Sequence, residues 1–221
     1  MSKELSFVKL LVKSIVENKK MPKVQVEREI SPILEIFLES FINELAKNHK
    51  IDNGTYKFIA PEFPLSTELE NDQSFNIDFL MENDKTLYLV ELKTDSSSFH
   101  HKQLTRYENV MKKTPEELFE FLKKLENKKY KNLLKYITNK GYNSFNKFNS
   151  IKLIYIAPKN LVIKNWGDEN LKAIQKLQTT HNLITFEDLD EFNNIKHDFS
   201  EIWQNITPIL KTLDENQIET K

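Results

Sequence analysis

The residue types that could do chemistry gather in two short runs, Asn76-Ile77-Asp78 and Val90-Glu91-Leu92-Lys93. A carboxylate sits in the first, and an acid-x-Lys triplet in the second. In an extended strand alternate residues share a face, so Glu91 and Lys93 would project together about 6.5 Å apart. If the two runs pair as a hairpin, Asp78 can lie beside Glu91. Two neighbouring carboxylates repel, and a divalent cation relieves the repulsion. An all-oxygen ligand set favours Mg²⁺ or Mn²⁺ over zinc. A lysine two residues on adds a cation where a water or phosphate oxygen would sit, a set suited to metal-assisted phosphodiester cleavage. Acid-x-Lys occurs four times, at Glu17, Glu91, Glu126 and Glu219. The Glu91 copy ends an apolar run, where a charge is costly unless it serves a site. The structural alternative is an edge-strand ion pair between Glu91 and Lys93.

The elements around these runs must position them. Phe75–Met81 alternates, with Ile77, Phe79 and Met81 on one face and Asn76, Asp78 and Leu80 on the other. Asn83-Asp84-Lys85 reads as the turn of a hairpin into a strand over Thr86–Thr94. Both faces of that strand start apolar, so a central position is expected. Asp95 or one of Ser96–Ser98 caps a helix that runs to about Lys113. Thr114, Pro115 and Glu117 form a capping box with proline at the first position. Helix then continues to about Thr138, with Gly141 closing it. Ahead of the hairpin, Leu5, Val8, Leu11, Val12 and Ile15 space a helix over 3–17. Ser31 and Pro32 read as the start of a second helix, ending near Asn48. Beyond the insert come a strand over 151–157, a helix over 168–179 and a strand over 183–186. A last helix covers about 200–213, kinked by Pro208. The fold class expected is α/β, a mixed sheet flanked by helices, in one domain spanning 1–221.

These residues resemble the PD-(D/E)xK nuclease superfamily, the restriction-endonuclease-like proteins that include many uncharacterised bacterial members. Asp78, Glu91-Leu92-Lys93 and the strand–hairpin–strand–helix context carry the likeness. It covers about 31–187 and is sharpest over 75–107; Ile77 stands where the motif's name has proline. The resemblance implies a restriction-endonuclease-like core with 114–141 as a helical insert. It implies that Asp78 and Glu91 bind Mg²⁺ or Mn²⁺ with the backbone carbonyl of Leu92, and that Lys93 orients or activates water. It also suggests that Gln103, on the following helix, points back to the site. An acid of the leading helix would join them, Glu35 in preference to Glu29 or Glu39.

The net charge of −1 hides an asymmetry. Residues 122–164 hold eleven lysines and one acid, which leaves 21 basic and 32 acidic residues elsewhere. Lysines interleaved with aromatics suit a phosphate backbone and stacked bases, although a solvated surface has the same composition. Lys124, Lys128, Lys131 and Lys135 fall on one helical face and are the expected nucleic-acid contacts, with Leu122, Leu125, Leu133 and Tyr136 as anchors. The activity expected is metal-dependent hydrolysis of DNA. The alternatives are an inactive module of the same fold that binds DNA or a protein, and an interaction protein with no nucleic-acid role.

Composition removes other classes. There is no cysteine, so disulfides, thiolate metal sites and a cysteine nucleophile are excluded. Three scattered glycines cannot build a phosphate-binding loop. His100 and His101 diverge by about 100° on a helix and cannot both face one metal. No apolar run approaches a membrane span, and charges interrupt any secretory signal, so a cytoplasmic protein is expected. DNA is the partner expected, a homodimer is a further option, and no membrane partner is foreseen.

Overall fold

The computed structural model describes residues 3–17, 26–66, 75–163 and 166–215. The elements in chain order are α1 (Lys3–Glu17), α2 (Val26–Lys47), β1 (Tyr56–Leu65), β2 (Phe75–Asn83) and β3 (Thr86–Leu92). A 3-10 turn at Ser96–Ser98 precedes α3 (His101–Met111), α4 (Pro115–Lys124) and α5 (Lys128–Asn139). Then follow β4 (Ser150–Ala157), α6 (Asn160–Ile163), α7 (Asp168–Thr179), β5 (Asn182–Thr185), α8 (Phe186–Glu191) and α9 (Ser200–Glu215). The class is α/β, with one five-stranded mixed sheet in the order β1-β2-β3-β4-β5. β1–β2 and β2–β3 are antiparallel. Along β3 and β4 the bonds Asn149 N–H to Lys85 O (2.6 Å) and Lys93 N–H to Ile156 O (2.8 Å) advance together, so these strands run parallel.

The chain divides into two compact units, each discontinuous in sequence. One holds 1–53, 92–99 and 155–221; the other holds 54–91 and 100–154. In the first, Trp203 of α9 is fully buried, with Phe37 and Phe41 of α2 at 5.0 and 5.6 Å. α1 presents Leu5, Val12, Ile15 and Val16 to the interior, whereas Leu11, expected on that stripe, is exposed. In the second, Phe145 is buried among Phe119, Phe148 and Phe63 at 5.0, 5.7 and 6.0 Å.

The capping box of Thr114 and Glu117 and the turn between Asn83 and Thr86 form as expected. Several boundaries differ. α2 begins at Val26, not Ser31, and carries Pro32 inside it. Val26 and Ile30 extend the buried stripe by about one and a half turns, and their burial outweighs the amide that proline lacks. β1 was not foreseen. Pro61 and Pro64 argue against a strand, yet β1 is an edge strand, the sheet position that tolerates proline. Asp95 does cap, but its side chain accepts from Ser97 N–H of the 3-10 turn, and α3 starts only at His101.

Candidate functional site

β3 is the third of five strands, and every residue from Leu87 to Leu92 is buried. Glu91 lies among them with 2% of its surface exposed. A carboxylate in that position needs strong partners. The β2–β3 register runs to Phe79 opposite Val90, and one step further brings Asp78 opposite Glu91, on the same face. Asp78 is half-buried. The β1–β2 register, with Pro61 opposite Phe79 and Phe63 opposite Ile77, also sets Glu62 against Asp78. Glu62 is exposed, has a left-handed backbone (φ 48°), and accepts from Asn76 Nδ2 at 3.1 Å. Nothing in the sequence marked Glu62, because its strand was not foreseen.

The partners of Glu91 come from α3. Gln103 and Tyr107 are one turn apart and therefore share a face. Gln103 Nε2 donates to Glu91 Oε1 at 2.7 Å and to the Tyr107 hydroxyl at 2.9 Å. Tyr107 in turn donates to Glu91 Oε2 at 2.6 Å. Its ring is fully buried, 5.5 Å from Phe75. The three side chains close a triangle that fixes the carboxylate and offsets the cost of burying it. A carboxylate oxygen has two lone pairs, so neither of these single donors saturates the oxygen it meets. The sequence pointed to Gln103 but gave Tyr107 no role. The clue was the four-residue spacing of two hydrogen-bonding side chains on an otherwise short helix.

Lys93 follows Glu91 by two residues and is 8% exposed. Its amide is tied to Ile156, and its Nζ lies 3.6 Å from Glu27 Oε2, an ion pair rather than a hydrogen bond. Glu27 is in the first turn of α2. Glu35 is half-buried two turns further along, about 12 Å by helical rise, while Glu29 and Glu39 are exposed. Glu27 is thus an acid of the leading helix in contact with Lys93, and the sequence did not mark it because the expected helix began at Ser31.

The lysine-rich segment is two helices. Leu125 closes α4, and the Asn127 side chain accepts from Lys129 N–H to open α5. Lys124 therefore ends α4 and does not continue the face of Lys128, Lys131 and Lys135, which α5 carries. Tyr130 and Ile137 anchor α5, and Tyr136, expected as an anchor, is exposed. Lys123 pairs with Glu120 at 2.7 Å and Lys147 with Glu82 at 2.6 Å. Lys140 donates to the carbonyls of Phe58 and Ile59. Lys124, Lys128, Lys131 and Lys135 are exposed and, among the described residues, unpaired. Tyr130 donates from its hydroxyl to Asn76 Oδ1 at 3.4 Å, two residues before Asp78 on the same face. The N-terminal turn of α5 is thereby joined to the strand that bears Asp78.

Among the described residues no group of three or more His, Asp or Glu is arranged to hold a metal. The donors on offer are Asp78 and Glu91, with Glu62 across from Asp78 engaged by Asn76. His100 precedes α3 as its exposed N-cap and His101 is half-buried. No described helix is long and apolar enough to cross a membrane. No protein-family model, curated protein or solved structure matches the chain.

Proposed function

We propose that the chain is a metal-dependent nuclease of the PD-(D/E)xK type, with a restriction-endonuclease-like core, that hydrolyses phosphodiester bonds of DNA. The observation that carries this reading is Glu91: a buried carboxylate on a central strand, fixed by Gln103 and Tyr107 through its two oxygens. Burying a charge there is costly, and the two side-chain donors offset that cost and orient the carboxylate. The donor set is all oxygen and fits Mg²⁺ or Mn²⁺, held by Asp78, Glu91 and the carbonyl of Leu92. Such an ion supplies Lewis-acid stabilisation of charge on the phosphate.

The chain's own residues do the rest. Gln103 and Tyr107 hold Glu91 in one orientation. Lys93, kept in place by its ion pair with Glu27, orients the attacking water. Lys124, Lys128, Lys131 and Lys135 hold the backbone of the nucleic acid.

The test is incubation of the protein with plasmid, linear and single-stranded DNA, with and without Mn²⁺ or Mg²⁺. Metal-dependent cleavage that Lys93→Ala removes, with an unchanged circular dichroism spectrum, is the expected result. Salt-sensitive binding without cleavage by the wild type would instead favour an inactive module of the same fold. Replacing the four lysines with glutamine should flatten the slope of log affinity against log salt on duplex DNA by up to ~3–4 units.

A further inference from the structure

We infer that the exposed face of α5 is a platform for single-stranded nucleic acid, with Tyr136 as the ring on which an unpaired base stacks. The inference rests on the reading of nucleic acid as the ligand, but not on cleavage. α5 contains no acid, and Lys128, Lys131 and Lys135 share its outer face. At 100° per residue, Asn139 and Asn132 lie about 20° and 40° past Lys128, and Tyr136 follows at about 80°, on the flank of that face. Asn132 and Asn139 are exposed, and Tyr136 is 39% exposed. A tyrosine normally turns its ring inward in such a helix, as Tyr130 does at 8% exposure.

The ring of Tyr136 also has a partner. Lys140 Nζ lies 4.6 Å from the centre of its ring and 4.7 Å from that of Phe58. The same ammonium donates to the Phe58 and Ile59 carbonyls at 3.3 and 3.2 Å, beside the register shift of β1. One face of the ring is therefore covered by a cation bonded to two carbonyls, and exposed ring surface remains for a ligand. An exposed ring on the flank of three lysines and two amides matches the chemistry of a nucleotide: phosphate, base face and base edge. In a duplex the base faces are stacked on one another and unavailable to such a ring. Phosphate contacts alone would serve either form; the exposed ring favours unpaired bases.

The test uses the full chain in EDTA, so that cleavage plays no part, with a labelled oligothymidylate and a duplex of equal length at fixed salt. Fluorescence anisotropy should show tighter binding of the single strand. Tyr136→Ala should weaken that binding by roughly 5- to 100-fold and leave the duplex unaffected. Tyr136→Phe keeps the ring and should bind like the wild type. Equal affinity for both forms, equal losses on both in Tyr136→Ala, or no binding of either would overturn the inference. Ring-dependent binding of the single strand without cleavage on adding Mn²⁺ would uphold it and sink the nuclease reading. Cleavage without single-strand preference would do the reverse.

Discussion

Glu91 and Asp214 are buried to a similar degree, 2% and 6% exposed, but on different terms. Glu91 is held by two side chains, Gln103 and Tyr107, from one face of α3. Asp214, near the end of α9, is held by main chain. Lys159 N–H donates to its Oδ1 at 2.6 Å, and the amides of Glu187 and Phe186 at the start of α8 also favour its charged form. Its Oδ2 accepts no hydrogen bond of good geometry. Backbone amides cannot be exchanged without changing the fold, so Asp214 reads as a tie between chain segments. Side-chain donors set an orientation, which is what a reacting or metal-binding group requires. The contrast separates a carboxylate that serves the fold from one that serves a site, at nearly equal burial.

The largest effect expected is on cleavage. Glu91→Gln should lower it by at least ~10²–10³-fold, since it removes charge placed to stabilise the reaction. Asp214→Asn should cleave at the wild-type rate once corrected for folded fraction. Equal losses in the two variants would erase the distinction. A second effect, read without any substrate, is stabilisation by Mn²⁺. At a concentration near a hundred times the dissociation constant, about 2.7 kcal/mol of stabilisation is expected. For a chain of this length that is a rise in melting temperature of roughly 5–10 °C. Glu91→Gln and Asp78→Asn should abolish the rise and Asp214→Asn should keep it. A full shift in the first two would mean that the ion binds elsewhere.

Much of this contrast could be read from sequence, and the reasons for the failures are specific. Asp78, Glu91 and Lys93 stood out because β2 and β3 alternate cleanly around them, and period-2 patterns survive whatever packs on them. α1 and α7 were bounded correctly for the same reason, with period 3.6. β1 was invisible because Pro61 and Pro64 argue against a strand unless its edge position is known, and that is a property of the sheet. Ser31-Pro32 looks like a helix start but lies inside α2, and Glu27 was lost with the five residues before it. The break between α4 and α5 depends on one cap, Asn127, inside a charged run that otherwise reads as continuous helix. Asp214 carried no sequence signal, since its partners are amides brought up by the fold.

Glu91's donors can be deleted singly, which allows a finer test. Tyr107→Phe keeps the buried ring and removes only the hydroxyl, leaving Oε2 without that donor. Unsatisfied buried acceptors cost about 1–3 kcal/mol, or roughly 3–10 °C in melting temperature here. Cleavage should fall as well, because the carboxylate is no longer held from both sides. A variant with unchanged melting temperature and rate would show that Gln103 alone positions Glu91.

The smallest effect concerns the pH dependence of Asp214. Burial pushes its carboxyl above the ordinary aspartate value, against the opposing influence of the Lys159, Glu187 and Phe186 amides. The native state therefore binds this proton more tightly than the unfolded chain does. The contribution is stabilising below the unfolded value of about 3.9 and is lost as pH rises through the raised folded value. Above both, the ionised group weighs against folding. Asp214→Asn cannot ionise and resembles the protonated acid in shape. Urea midpoints measured from pH 4 to 7 should therefore show the asparagine variant gaining on the wild type as pH rises, then holding a constant lead once the wild-type carboxyl is fully ionised. A wild type that gains on the variant as pH rises would mean that the amides outweigh burial, and a difference that stays flat would mean that they balance it. Asp214 would then be as well satisfied as Glu91, and the two acids would differ only in which donors hold them.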